Sequence, residues 1–208
     1  MMLVKICGIT NLDDALAAVA AGADALGFNF YPQSPRYLSP ETAQSIIDRL
    51  PAKVLTVGVF VNEELDSIRK IASTAGVRGL QLHGDESPEY CKALNDYYLI
   101  KVFAADAEFR PERVLDYDVS AIMLDALDRD GVRGGTGRVS NWSLAAKTTQ
   151  LFAKLFLAGG LSAENVGEAI ERVKPYAVDA CSLLENSPGR KDHQRLRAFV
   201  AAVRNTTG

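Results

Sequence analysis

The consecutive segments ALGFNF (25–30), LSPETAQSIIDRL (38–50) and LTVGVFV (55–61) decide the fold. The outer two are apolar at nearly every position, the pattern of strands covered on both faces of a sheet. The middle one begins as a helix should. Ser39 suits an N-cap, Pro40 the first helical position and Glu41 the first turn. A strand, a helix and a second buried strand in that order make a unit of a parallel sheet.

The same alternation runs along the whole chain. Further buried-strand patterns are VKICGI (4–9), GLQLHG (79–84), YLIKVFA (98–104), AIMLDA (121–126), LFLAGG (155–160) and YAVDACSL (176–183). Between them, NLDDALAAVAAGAD (11–24) ends on a helix-stopping Gly22, and LSAENVGEAIERV (161–173) reads as a helix capped by Ser162. The weakest helical pattern follows the fifth strand, near Pro111 to Leu115. Eight such units without a linker indicate a closed (β/α)8 TIM barrel, one domain over residues 1–208. A doubly wound open sheet is the alternative, but no GxGxxG follows the first strand.

Composition excludes several classes. A formal net charge of −3 provides no basic field for nucleic acid or an anionic membrane surface. No apolar run approaches the ~20 residues that span a bilayer, and the N-terminus lacks the pattern of a secretory leader. Three cysteines, Cys7, Cys91 and Cys181, show neither CxxC nor metal-ligand spacing, which suits a reducing, cytoplasmic setting without structural zinc.

In a barrel of this kind, chemistry sits where strands end and the loops into the helices begin. The polar residues at those positions are Cys7, Asn29, Asn62, His83, Asp125 and Asp179, and the seventh strand ends in Gly159 and Gly160.

Together these residues form a recognisable set. VKICGIT (4–10), GFNFYPQSPRYLSPETA (27–43), VGVFVN (57–62), LQLHGDE (80–86), LDA (124–126) with GGTG (134–137), LAGGLSAENV (157–166) and SPGRKD (187–192) resemble the phosphoribosylanthranilate isomerase family, in order and over nearly the whole chain. The resemblance implies an Amadori rearrangement in tryptophan biosynthesis, converting a phosphorylated aminoaldose to an aminoketose without metal or cofactor. It implies Cys7 as general base, Asp125 as general acid and Arg36 as partner of the anthranilate carboxylate. It also implies phosphate binding by the loops after strands seven and eight, with Gly159, Gly160, Asp179 and Ser182. His83 is a further substrate-binding candidate. A small-molecule phosphate ester is the expected partner, and the enzyme is expected as a monomer or homodimer.

The chemistry suits these residue types. An acid must protonate the ring oxygen and a base must remove the C2 proton. Cys7 must be a thiolate, and Lys5, two residues earlier on the same strand face, can favour that form. Asp125 must carry a proton at neutral pH, so its pKa must be raised. Each residue also has a plain reading. Cys7 can plug the core, Asp125 can cap a turn, Arg36 can pair with Glu41 or Asp85, and His83 can be structural. Asp128 and Asp130 read as solvated loop charges. In VDACSLLE (178–185) the chain departs from the family's usual VDVSSGVE. Cys181 replaces a serine, and Leu183 replaces a glycine, which puts the backbone at the phosphate loop in question. Two other readings are a non-catalytic phosphometabolite-binding barrel and an isomerase of the histidine-pathway type. The latter would place paired aspartates at the ends of strands one and five, where this chain has Cys7 and an Asp106 that lies beyond the expected strand end.

Overall fold

The computed structural model describes residues 2–106, 108–126 and 141–207. Eight parallel strands close into a barrel in sequence order: β1 (Leu3–Ile6), β2 (Ala25–Asn29), β3 (Leu55–Phe60), β4 (Gly79–Leu82), β5 (Tyr98–Ala104), β6 (Ala121–Asp125), β7 (Leu155–Leu157) and β8 (Ala177–Ala180). β1 begins one residue before its expected segment and the other seven lie inside theirs; most end sooner, so Cys7, His83 and Gly159 stand just beyond their strands. The helices outside are α1 (Leu12–Ala21), α2 (Pro40–Ile47), α3 (Leu65–Ala75), α4 (Pro88–Lys92), α5 (Trp142–Thr149), α6 (Val166–Val173) and α7 (His193–Thr207). After β5 the connection is a 3-10 helix, Pro111–Asp116, where the helical pattern was weakest.

Local signals explain most boundaries. Ser39 Oγ accepts the Thr42 N–H at the start of α2, and Gly22 ends α1 with φ of 101°, a left-handed turn that glycine adopts at little cost. The expected Ser162 cap of α6 is not what forms. The helix begins at Val166, and the Ser162 carbonyl accepts the Val166 N–H across an intervening turn.

Alternation along the strands divides the core into two layers. Val4, Ile6, Leu26, Ile122 and Leu124 face the helices, while Val57, Ile100, Val102, Met123 and Phe156 fill the barrel. α7 closes the ring against α1. Asp14 accepts from His193 Nε2 at 2.7 Å and from the Lys191 N–H at 2.9 Å.

A buried ion pair secures the end of β4. Lys101 Nζ lies 2.8 Å from Glu86 Oε2 and donates to the Gly84 carbonyl at 2.8 Å. Glu86 in turn accepts N–H groups from Gly84 and Asn62. Removing one partner leaves the other charge buried without compensation. Lys101→Met is therefore expected to lower stability in urea unfolding by about 3 kcal/mol. An unchanged midpoint would show that the loop around His83 holds without this pair.

Candidate active site

β1 delivers its residues alternately outward and inward, and the inward ones are Lys5 and then Cys7. Lys5 is fully buried within the barrel, with Nζ 2.7 Å from Asp179 Oδ1. Lys5 and Asp179 are direct partners in the β1–β8 register, as are Ile6 and Ala180. The Cys7 N–H continues that ladder to the Ala180 carbonyl at 2.9 Å, which sets Cys7 beside Cys181. Gly27 on β2 makes room for the thiol: a Cβ there would stand 2.7 Å from Cys7 Sγ and 3.1 Å from Lys5 Nζ.

This setting favours the Cys7 thiolate. The hydrogen bond from the Cys181 thiol lowers its pKa most, and the charges of Lys5 and Lys191 act in the same direction against burial. Cys181 itself is held well above the usual thiol range, first by that hydrogen bond and then by burial. Cys181 Sγ also lies 3.9 Å from Glu185 Oε1, an acceptor for its proton. Burial alone would discharge Lys5, but Asp179 and then Cys7 outweigh it, so the ammonium persists.

Asp125 ends β6 and points inward from the same mouth. Burial raises its carboxyl to about 7, although Oδ1 accepts the Ala126 N–H at 2.8 Å. His83 Nε2 lies 3.6 Å from Asp125 Oδ2, and Gln81 Nε2 lies 3.4 Å from His83 Nδ1. A cavity of about 340 Å³ opens beside Asp125 and His83, walled by Phe103, Phe109, Arg113 and Tyr117. A smaller cavity on the other side of Asp125 is lined by Gly159, Gly160, Asp179, Cys181, Ser182 and Leu183.

The remaining candidates divide. Arg36 pairs neither with Glu41 nor with Asp85. Nε and Nη2 grip the Glu185 carboxylate at 2.9 and 2.7 Å, and Lys191 Nζ holds the same carboxylate at 2.8 Å. Glu185 is a site residue that sequence reasoning missed, since it lies 149 positions from Arg36 with no local pattern linking them. The Asp179 carboxylate is engaged by Lys5. Gly159 and Gly160 both have positive φ, 86° and 61°. A Cβ on Gly159 would meet the Ala126 nitrogen at 2.6 Å, so only glycine lets this loop approach Asp125 so closely.

Ser182 opens a 3-10 helix, Ser182–Leu184. The concern over Leu183 is not realised in the backbone. Among the described residues the non-glycine positive-φ positions are Asn62 and Lys174. Leu183 instead places its half-exposed side chain at the smaller cavity. Asp106 lies past the end of β5, as expected, and caps a turn by accepting the Glu108 and Phe109 N–H groups. The GGTG run, Asp128 and Asp130 lie outside the described residues. Among the described residues, no group of three or more His, Cys, Asp or Glu side chains is placed to hold a metal ion.

A thiol pushed down and a carboxyl pushed up at one mouth of a parallel barrel are the equipment of an acid–base enzyme. Comparison with known proteins makes the assignment specific. The family model described as N-(5'-phosphoribosyl)anthranilate (PRA) isomerase matches residues 4–202. A relative of that name from Thermotoga neapolitana is 49% identical over 201 residues, covering 96% of this chain and 97% of that protein. The crystal structure of phosphoribosyl anthranilate isomerase from Thermotoga maritima superposes with a TM-score of 0.90 at 45% identity, covering 99% of this chain and 100% of that one. A further structure, 44% identical with a TM-score of 0.88 and covering 99% and 100% of the two chains, is of a phosphoribosyl anthranilate isomerase in complex with reduced 1-(o-carboxyphenylamino)-1-deoxyribulose 5-phosphate. The chain belongs to the N-(5'-phosphoribosyl)anthranilate isomerase family.

The electrostatics at Cys7 are open to direct test. The pH profile of Cys7 alkylation by iodoacetamide, followed by peptide mapping, is expected to have its midpoint well below the ordinary value of about 8.5. In Lys5→Met that midpoint should move up. A midpoint unchanged by Lys5→Met would remove Lys5 as a source of the shift.

Proposed function

We propose that Cys7 and Asp125 are the base and acid with which this chain isomerises N-(5'-phosphoribosyl)anthranilate to 1-(2-carboxyphenylamino)-1-deoxyribulose 5-phosphate, the reaction of its family in tryptophan biosynthesis. The observation that carries the assignment of roles is the opposed shift of the two groups at one barrel mouth, Cys7 down and Asp125 up to about 7.

The neutral Asp125 carboxyl gives its proton to the furanose ring oxygen as the C1–O bond breaks, while the anilino nitrogen lone pair forms the C1=N bond. The Cys7 thiolate then takes the C2 proton. The electrons move into a C1–C2 enolamine, which picks up a proton at C1 and releases the proton of its C2 hydroxyl to become the ketose. The ordering suits the charges, because a thiolate facing Asp125 itself helps to keep that carboxyl protonated. His83 orients Asp125 or meets the sugar. Arg36 offers Nη1 to the substrate carboxylate while Glu185 holds Nε and Nη2 in a fixed plane. The phosphate is met by the backbone N–H groups of Gly159 and Gly160 and by Ser182 across the smaller cavity. Asp179 contributes through Lys5 rather than by touching an anion.

The same reading describes a cytoplasmic enzyme made of one barrel domain, working as a monomer or homodimer on a small phosphorylated substrate. No helix among the described residues is long and apolar enough to cross a membrane.

Cys7→Ser is expected to lower kcat by ~10² to 10⁴-fold with folding retained, because a hydroxyl of similar size is a far weaker base. Asp125→Asn should lose kcat more than KM. In the intact enzyme kcat/KM should decline on the alkaline side of about pH 7, since an acid with its pKa there loses its proton as the pH rises. Near-normal kcat in folded Cys7→Ser, or no alkaline decline, would overturn the assignment of roles.

A further inference from the structure

The mechanism uses one of the two thiols at the barrel mouth. The second, Cys181, stands where the sequence departs from the serine usual in the family, and it directly follows Ala180, whose carbonyl accepts the Cys7 N–H. Cys91 belongs to a different place, fully buried on α4. We propose that Cys7 and Cys181 form a hydroperoxide-sensitive dithiol that closes to an intramolecular disulfide and reversibly switches the enzyme off. The loss of activity, though not the disulfide, rests on the reading of Cys7 as the base.

The backbone supplies the span. The β1–β8 ladder keeps its register through Ile6 and Ala180, and the Cys7 N–H extends it by one bond to the Ala180 carbonyl. Paired parallel strands lie about 4.8 Å apart, within the roughly 4.4–6.8 Å that a disulfide accepts between Cα atoms. Both cysteines sit where strand regularity ends. Gly8 follows Cys7 with φ of 76°, and Cys181 has left the strand at φ −137° and ψ −88°. A link between the two side chains therefore falls beyond the regular ladder and leaves the pairing of β1 with β8 below it intact.

Cys7 keeps 8% of its surface exposed at the mouth. Cys181 lines the smaller cavity, beside Asp125 and Gly159. Lys191 Nζ lies 3.8 Å from Cys181 Sγ and 3.3 Å from its carbonyl oxygen. The Cys7 thiolate attacks one peroxide oxygen, the O–O bond breaks, and the departing hydroxide takes a solvent proton to become water. Cys7 is left as the sulfenic acid. The Cys181 sulfur then attacks the Cys7 sulfur, the S–O bond breaks, and the Cys181 proton leaves with that hydroxide as a second water. Two thiols lose two electrons in total, and the hydroperoxide accepts them. Beside Cys181 Sγ stand Lys191 Nζ at 3.8 Å, which favours the thiolate, and Glu185 Oε1 at 3.9 Å, which can accept the thiol proton as the second step proceeds.

The test is mild hydrogen peroxide treatment of the whole protein, followed by peptide mapping, an isomerase assay, and repetition of both after dithiothreitol. The expected result is a Cys7–Cys181 linked peptide, a mass lower by about 2 Da, and an isomerase rate reduced ~10²-fold that dithiothreitol restores. Cys181→Ser, scored against its own untreated rate, should form no link. It should instead carry added oxygen on Cys7, with activity that dithiothreitol fails to recover once the sulfinic acid has formed. Wild-type protein that overoxidises at Cys7 without a link, or leaves both thiols untouched, would overturn the proposal. A linked peptide with full activity would instead confirm the thiol pair, overturn the switch, and refute Cys7 as the base.

Discussion

Closure of the barrel between β1 and β8 is the constraint on which the site depends. In that seam Lys5 and Asp179 are register partners that meet at 2.7 Å inside the barrel, where burial lifts the Asp179 carboxyl to about 7 against the pull of Lys5. A buried ion pair is a poor source of stability, because two desolvation costs offset its attraction. Its value here is positional. It places a permanent cation one layer beneath Cys7, and the next step of the same ladder places Cys181 beside that thiol. The far side of the mouth carries Asp125, where burial outweighs the opposing pull of Lys5. One seam thus lowers a thiol, while burial across from it raises a carboxyl.

The outer ring of contacts keeps this arrangement in place. Glu185, just past the short 3-10 helix after β8, is gripped by Arg36 from the loop after β2 and by Lys191 near the start of α7. Burial would push its carboxyl up, but the two cations outweigh it and hold it ionised. Two connections distant in sequence, the loop after β2 and the segment between β8 and α7, are thereby tied over the mouth. On the opposite side, Lys101 and Glu86 hold the turn that presents His83. The mouth is stiff where the two titrating groups must keep their relative position, and its cavities open on either side of Asp125.

What was legible in the sequence follows from what is local. Strand–helix alternation is carried by runs of neighbouring residues, so all eight strands were found, with Ser39, Pro40 and Gly22 marking helix ends. Period-two alternation likewise put Lys5 and Cys7 on one face. The misses are long-range or geometric. Nothing near Arg36 names Glu185 as its partner, and nothing in LSAENV shows that a turn absorbs Ser162 before α6 begins at Val166. Cys181 read as a departure from the family run, and its contact with Cys7 becomes visible only when β8 returns beside β1. Leu183 drew attention for replacing a glycine, yet the backbone there makes no left-handed turn.

The claim that a thiolate on β1 removes the C2 proton is tested most directly by following the hydrogen itself. Freshly generated N-(5'-phosphoribosyl)anthranilate carrying deuterium at C2 should be converted to the ketose with a primary isotope effect in single turnover, and the label should leave C2. Conversion that shows no isotope effect under single-turnover conditions, and proceeds equally fast when Cys7 is alkylated, would contradict it.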